Sequence, residues 1–311
     1  MTGDPLVSVI MPLYNKRPYV ERSIESIKSQ TYSNWELIIV DDGSTDGSSD
    51  AVPRDNPRMK LFRQSNKGPG AARNKAVSMA SGDYLAFIDA DDCYYPFKLE
   101  REMDLLWSQQ KAEWMMSAYD YKLNGVTTRY YMKDINNKDI KQETMVFDDT
   151  LNQLIVSGWP SDGLFMKRTL FERLGGFCED MRFGEITELI LRCALMQPRI
   201  VICHIPLYLH IDAPGSTAKV SSYRVGYARQ MGKRLYDMAQ NYPKYSKLLT
   251  QKSRDHMMSY AATQMLSGKS WEARKFLFEA YPYEHDIRWW KILAATWLPK
   301  GVLQRLLRSG K

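Results

Sequence analysis

Short apolar runs alternate with helical stripes along the first hundred residues. Four short runs rich in apolar residues indicate strands, the first of them buried; they lie at 6–11, 35–40, 59–62 and 84–88. Between the first two runs, Val20, Ile24 and Ile27 recur at helical spacing, and a second helix is predicted over 70–80. Strands separated by helices in this way predict an α/β fold with a mostly parallel central sheet flanked by helices.

Three of the predicted strands end in polar loops, which read PLYNK, DDGSTDGS and DADD. The carboxyl ends of parallel strands meet at one edge of a sheet, where α/β proteins bind their ligands. We therefore expect the three loops to converge on one site. Neither GxGxxG nor GxxxxGK[ST] occurs in the sequence, which excludes the two common glycine-rich phosphate loops.

The remaining sequence predicts two domains. Residues 1–220 form the first, with a nucleotide-binding half at about 1–111 and an acceptor half at about 112–220, and 221–311 is a basic helical region. The whole chain has a net charge of +7, whereas 221–311 alone holds 17 basic and 6 acidic side chains, a net charge of +11. Such a region suits anionic lipid better than nucleic acid, because no nucleic-acid-binding module accompanies the charge.

The last segment, residues 288–311, contains six basic residues, no acidic residue and three tryptophans, Trp289, Trp290 and Trp297. Basic residues mixed with interfacial aromatics are typical of a helix that lies on an anionic membrane surface. The alternative is a helix pair whose apolar face packs on residues 230–280, and the sequence leaves both open. A homodimer built by the helical region is also compatible with the pattern.

The four cysteines show neither a CxxC pair nor a zinc-binding spacing, which is typical of reduced thiols in an intracellular enzyme. The amino terminus lacks a charged segment followed by a long apolar stretch, so no signal peptide is expected. No uninterrupted apolar run approaches the roughly 20 residues of a membrane span. These features together predict a cytoplasmic protein.

The DADD loop places three carboxylates, Asp89, Asp91 and Asp92, directly behind a buried strand. Like charges this close disfavour one another's ionisation, so a positive charge should offset them. A solvated turn and a calcium loop are the alternatives, although no EF-hand spacing follows. We favour Mn²⁺ or Mg²⁺ held by one or two carboxylates together with the phosphates of a nucleotide.

Four segments resemble a known family: VSVIMPLYNK, ELIIVDDGSTDGS, NKGPGAARNKA and GDYLAFIDADD follow one another over about 90 residues. They are similar to the nucleotide-sugar glycosyltransferases of family 2. The likeness continues less strictly through GLFMKRTLFERLGGF to PLYLHIDAPGSTA. It implies the GT-A fold, with a Rossmann-like sheet, for residues 1–220 and leaves the helical extension outside.

The resemblance also implies roles for individual residues. Donor binding would fall to residues that line the nucleobase, ribose and diphosphate, namely Pro12, Tyr14, Asn15, Asp42, Arg73 and Asp89. Asp42 would accept a hydrogen bond from the base, and Arg73 would lie near the diphosphate. Asp91, with Asp92, would bind the metal. Uridine diphosphate is the commoner family donor, and thymidine and guanosine donors stay open.

The chain departs from the family where a general base is expected. Family members carry a Glu-Asp pair whose aspartate deprotonates the acceptor, and here Glu185 is followed by Ile186, which cannot take a proton. Glu185 is then the expected base. Asp180 or Asp162 could instead approach from a neighbouring loop, or the chain could bind a sugar nucleotide without efficient transfer.

A second departure is Ala213, where the family often has a histidine before Pro-Gly-Ser. His210 or Asp212 would have to substitute in the metal or diphosphate shell. Trp159 and Asp162 are weaker candidates for the acceptor pocket, because an exposed tryptophan can stack on a sugar ring.

The expected function is transfer of a sugar from a nucleoside-diphosphate sugar to a glycan or lipid-linked hydroxyl acceptor, with inversion, in bacterial surface polysaccharide or glycolipid synthesis. Peripheral contact with the cytoplasmic membrane through 288–311 goes with this function. The first alternative is a family member that binds the donor but has lost catalysis and acts as a partner or regulator. The second, a nucleotidyltransferase, lacks support because PLYNKRPYVE supplies no glycine-rich basic loop.

Overall fold

The computed structural model describes residues 4–130, 142–154, 161–212, 221–279 and 287–298. The chain forms two compact units, Met1–Ser216 and Thr217–Lys311. Trp159, the acceptor candidate, and Ala213 lie outside the described residues.

The first unit is built on a sheet whose strands follow one another in the order β3-β2-β1-β4-β9-β6-β10-β5, with β7 on β6 and β8 on β10. The strands are β1 (Val7–Leu13), β2 (Trp35–Asp41), β3 (Met59–Arg63), β4 (Tyr84–Phe87), β5 (Cys93–Tyr94), β6 (Trp114–Leu123), β7 (Val126–Tyr130), β8 (Thr144–Phe147), β9 (Leu164–Lys167) and β10 (Ile200–Ile211). Its helices are α1 (Val20–Lys28), α2 (Pro69–Met79), α3 (Lys98–Ser108), α4 (Thr150–Leu154), α5 (Arg168–Leu174) and α6 (Glu185–Met196).

The sheet confirms the predicted α/β class, but its parallel character is confined to part of it. Strands β3, β2, β1 and β4 pair in parallel, as their separation by α1 and α2 predicts. Beyond β4 the pairing is mixed: β9 runs antiparallel to both β4 and β6, whereas β10 runs parallel to β6. The expectation of a mostly parallel sheet was wrong for this half, where the sequence shows no regular strand-helix alternation.

The core confirms the hydrophobic pattern of the first hundred residues. Every residue of β2 is buried, which explains why its central residues, 37–40, are continuously apolar rather than alternating. On α1 the predicted stripe of Val20, Ile24 and Ile27 is buried against the sheet cluster. The helix therefore covers one face of the strands whose ends carry the polar loops.

The second unit consists of helices in its described part, namely α7 (Ser221–Asn241), α8 (Ser246–Leu266), α9 (Ser270–Glu279) and α10 (Ile287–Ala295). Methionines of α8 and the buried side of α9 form its apolar core. Trp289 is buried in this core, as the alternative of packing on residues 230–280 predicts, whereas Trp290 and Trp297 are exposed. None of the helices in the described ranges combines the length and apolar character needed to cross a bilayer.

His204 on β10 makes stability depend on pH. It is 5% exposed, and neither ring nitrogen has a hydrogen-bond partner among the described residues. Burial lowers its pKa to about 4. The folded protein therefore disfavours the protonated ring, and the contribution of this group to stability is complete above its ordinary value of 6.5 and is lost as pH falls towards 4.

We expect His204→Leu to lose less stability than the wild type between pH 7 and pH 4.5, since leucine cannot be protonated. On going from pH 7 to pH 4.5, the wild type should lose up to about 3 kcal/mol more of its free energy of unfolding than the variant, from the size of the pKa shift. Urea unfolding at both pH values measures it, and titrating carboxylates common to the two proteins cancel in the comparison. Parallel pH dependence of the two proteins would contradict the assignment.

Candidate functional site

The polar loops after β1 and β2 are tied to each other, which confirms that they converge. The backbone N–H groups of Asn15 and Lys16 donate to Ser44 Oγ and Ser48 Oγ at 3.0 and 2.7 Å. Thr45 N–H donates to Asn15 Oδ1 at 2.9 Å. Asn15 has a φ of 51°, in the left-handed region that asparagine tolerates better than most residues. The loop geometry thus fixes the direction in which the Lys16 side chain leaves the backbone.

Asp42, expected to bind the nucleobase, holds the segment that leads into α2. Its carboxylate accepts hydrogen bonds at 2.8 Å from the N–H groups of Lys67 and Gly68 and from Gln64 Nε2. A carboxylate has about four lone-pair sites, so one is left for a further donor. At the end of the neighbouring strand β1, Pro12 is half-buried and Tyr14 is exposed. The structure therefore places these three predicted donor residues at one sheet edge.

The two carboxylates expected to bind metal have different partners. Asp91 Oδ2 lies 2.5 Å from Lys16 Nζ, and both side chains are largely buried. Burial raises the pKa of Asp91, and the nearby lysine opposes that shift. Asp92 is fully buried and accepts from Ile211 N–H at 2.7 Å, while its Oδ2 lies 2.7 Å from His210 Nδ1.

Another buried carboxylate, that of Asp162, lies beside Asp92. Asp162, at the turn before β9, accepts a hydrogen bond from Asp89 N–H at 3.2 Å. Ligand atoms of Asp92, Asp162 and His210 lie within 4.8 Å of one another. Burial raises the pKa of both Asp92 and Asp162 well above the usual aspartate range, and neighbouring carboxylates raise them further. Oxygen and imidazole donors in this arrangement fit Mn²⁺, and a cation would relieve the crowding.

Arg73 bridges the donor side of the site and the start of α6. It is 2% exposed, and its Nη1 and Nη2 atoms donate to Glu185 Oε1 at 2.6 Å and to Asp89 Oδ1 at 2.5 Å. Burial opposes ionisation of Asp89, yet the Arg73 guanidinium holds the pKa of that carboxyl below its usual range. Helix α2 packs closely against the segment that leads into α6: a Cβ on Gly70 would lie 2.8 Å from the Cys178 carbonyl oxygen and 3.6 Å from Glu185 Cγ.

The start of α6 carries no carboxylate at the position expected for a base. Ile186 is 7% exposed and belongs to the buried side of the helix. Glu185 is 6% exposed, and Glu188 is paired with Arg192 through both of its oxygens at 2.9 and 2.6 Å. Asp180 is exposed and accepts a hydrogen bond from the Cys178 thiol. Among these groups, only Glu185 is tied to a residue that also touches Asp89.

About half of the chain matches a known protein family. Residues 8–161 match the family described as Glycosyl transferase family 2. A curated relative, the putative teichuronic acid biosynthesis glycosyltransferase TuaG of Bacillus subtilis, is 36% identical over 156 residues, which cover 49% of this chain and 59% of the relative. The glucosyltransferase WfgD of Escherichia coli, named for UDP-Glc and a GlcNAc-diphosphoundecaprenol acceptor, is 35% identical over 48% of this chain and 62% of its own length. The chain thus spans less than two thirds of both relatives.

Solved structures share the fold. S. aureus TarS 1–349 in complex with UDP-GlcNAc aligns with a TM-score of 0.66 and 20% identity over 93% of this chain and 80% of that one. The mannosyltransferase PcManGT from Pyrobaculum calidifontis, in complex with GDP-Man and Mn²⁺, aligns with a TM-score of 0.59 and 20% identity, over 99% and 81% of the two chains. These matches confirm the expected glycosyltransferase fold.

Lys16 and a divalent cation would compete for Asp91. We expect Lys16→Met to bind Mn²⁺ about tenfold more tightly than the wild type in the absence of nucleotide, because about 1.4 kcal/mol of competing attraction is removed. The paramagnetic resonance signal of free Mn²⁺ measures this affinity.

Arg17→Met is the matched control, since the Arg17 side chain pairs with the exposed Glu21 rather than with Asp91. Equal Mn²⁺ affinities for Lys16→Met and the wild type would show that Asp91 is not a ligand of the cation.

Proposed function

We propose that this chain, which belongs to glycosyl transferase family 2, transfers a sugar from a nucleoside-diphosphate sugar to a hydroxyl group. The observation that carries the proposal is the meeting of Asp42, Arg73, Asp89 and Asp91 at one sheet edge in a chain of this family. The proposed acceptor is a bacterial surface polysaccharide or its lipid carrier. The teichuronic acid biosynthesis named for TuaG and the diphosphoundecaprenol acceptor named for WfgD support that acceptor class.

The proposed donor is a UDP-sugar. Its base would lie near Pro12, Tyr14 and Asn15 and use the remaining lone pair of Asp42, and its ribose or sugar would face Asp89. The UDP-GlcNAc bound by TarS supports a uridine nucleotide. Because PcManGT binds GDP-Man, GDP-sugars should be tested as well. Arg73, held by two carboxylates, would act first on the orientation of Asp89 and only through it on the diphosphate.

We assign cation binding to Asp91 and to the cluster of Asp92, Asp162 and His210. A bound Mn²⁺ or Mg²⁺ would supply Lewis-acid stabilisation of the leaving diphosphate. The lysine that now pairs with Asp91 would then be available, as a second positive charge on a fixed loop, to face the same leaving group.

Glu185 is the proposed base. In the inverting reaction the acceptor oxygen attacks the anomeric carbon, the bond to the diphosphate oxygen breaks, and the acceptor proton passes to Glu185. Its Oε1 is held by Arg73, so Oε2 is the atom assigned to that proton. The alternative function, donor binding with weak or no transfer, is favoured by the burial of Ile186 at the usual base position.

A lipid-linked acceptor would place the reaction on the inner face of the cytoplasmic membrane. We propose peripheral contact there, carried by the basic helical unit that includes residues 288–311. The charge of +11 over 221–311 supports contact with an anionic surface.

The donor assignment predicts nucleotide release from a UDP-sugar in the presence of Mn²⁺, and less or none from GDP- and TDP-sugars. Asp91→Asn should lower release at least about a hundredfold, since loss of one essential electrostatic contact typically costs that much. Asp104→Asn, an exposed aspartate on α3, is the control. Donor binding by calorimetry without release, even when glycan and lipid-linked acceptors are supplied, would support the alternative function.

The base assignment predicts that Glu185→Gln lowers kcat by about 10²–10⁴-fold. Glutamine can still accept the hydrogen bond from Arg73, so calorimetry should show unchanged donor binding. Glu188→Gln on the same helix is the control, because Glu188 pairs with Arg192 instead. A lowered kcat accompanied by weaker donor binding would make Glu185 a positioning residue for Arg73.

A further inference from the structure

Helix α9 exposes large aromatic side chains on the face opposite its buried one. Ala273, Phe276 and Leu277 are buried against α8, as an amphipathic helix requires. On the other side, Trp271 and Phe278 are 66% and 55% exposed. They are seven residues apart, so they lie along a single stripe of the helix. The exposed face therefore carries apolar bulk where a solvated helix would carry polar groups.

Basic side chains fill the same stripe. Arg274 and Lys275 stand three and four residues after Trp271, and thus between the two aromatics on one face. The face remote from the core is therefore aromatic at both ends and cationic in the middle.

Trp297, beyond α10, extends this face. The Arg274 guanidinium carbon lies 3.6 Å from the centroid of the Trp297 ring and 6.0 Å from that of Trp271. Arg274 also donates to Thr296, from Nη2 to the carbonyl at 2.9 Å and from Nε to Oγ1 at 3.2 Å. These bonds fix the arginine, so that Trp297, itself 69% exposed, stays beside the stripe.

We infer that this aromatic-basic face, defined by Trp271, Arg274, Lys275, Phe278 and Trp297, binds the surface of an anionic lipid bilayer. Tryptophan rings favour the headgroup level of a membrane, and arginine and lysine stems cover apolar surface while their charges stay in water. A contiguous exposed apolar patch marks an interaction site. The excess of positive charge in 221–311 selects an anionic partner.

The sequence pattern assigned membrane contact to 288–311, whereas α9 lies before that segment. Its aromatics were missed because an aromatic stripe at helical spacing usually indicates the buried face. The biological role of this membrane binding rests on the proposed function, because an enzyme held at the membrane reaches a lipid-linked acceptor most easily. Binding itself requires neither donor nor acceptor.

The test is flotation of the full chain with vesicles of phosphatidylcholine containing about one third phosphatidylglycerol, a composition that gives an anionic surface. The wild type should bind these vesicles and bind pure phosphatidylcholine vesicles more weakly. Trp271→Ala/Phe278→Ala should lower the affinity at least about tenfold, through loss of buried apolar area. Arg274→Gln/Lys275→Gln should lose the preference for anionic vesicles.

Trp107→Ala is the matched control, because Trp107 is a 54% exposed tryptophan on α3 of the first unit. Unchanged vesicle binding by Trp271→Ala/Phe278→Ala would overturn the inference, as would equal weakening by Trp107→Ala. A dimer that sediments in the wild type and dissociates in the double variant would also overturn it, by assigning the face to a second copy. Transfer to a water-soluble acceptor, measured alongside, should be unaffected, which separates this inference from the proposed activity.

Discussion

The crowding of carboxylates at the end of β4 is the constraint on which the rest of the site depends. Asp89, Asp91, Asp92 and Asp162 meet there, and each would be costly to ionise if it were left uncompensated. Each has a different compensation: Arg73 for the first, Lys16 for the second, and His210 with a backbone N–H for the third. Asp162 is satisfied in part by the backbone of Asp89. Two of the four carboxylates, Asp89 and Asp91, therefore lie in ion pairs, and Asp92 and Asp162 are held beside them by hydrogen bonds.

These compensations also hold distant segments together. Lys16 comes from the loop after β1, Arg73 from α2 and His210 from the end of β10, so the acidic loop connects elements that are far apart in sequence. Because Arg73 reaches Glu185 as well, the same pair of ion pairs fixes the start of α6. Removing one partner of a buried pair leaves the other charge buried and typically costs about 3–5 kcal/mol. Affinity for a cation and the local stability of the loop are therefore coupled properties.

The sequence predicts the half of this arrangement that local patterns encode. The runs at β1, β2 and β4 and the stripe on α1 depend on spacing alone, and the loops that follow the strands meet because parallel strands end at one edge. Asp162 and His210 could not be placed in this way. Asp162 reaches Asp89 because β9 pairs antiparallel with β4, and His210 reaches Asp92 because β10 pairs with β5, the short strand that directly follows the acidic loop. No spacing rule links residues that are 73 or 118 positions apart in the sequence.

The exposed aromatics of α9 recur at helical spacing, but that spacing does not say which face of the helix is buried.

The two departures from the family pattern have a common physical form. Where an aspartate is expected the chain has Ile186, and the preceding Glu185 supplies a carboxylate one methylene longer. Where a histidine is expected it has Ala213, and His210 supplies an imidazole three residues earlier. In both places the substitute lies on a regular element, the first turn of α6 or the strand β10, and is hydrogen-bonded into the acidic network. Groups that had merely lost their role would not be expected to retain buried, directional contacts with Arg73 and Asp92. This retention favours a displaced catalytic network over a remnant that only binds the donor, and it agrees with transfer as the primary proposed function.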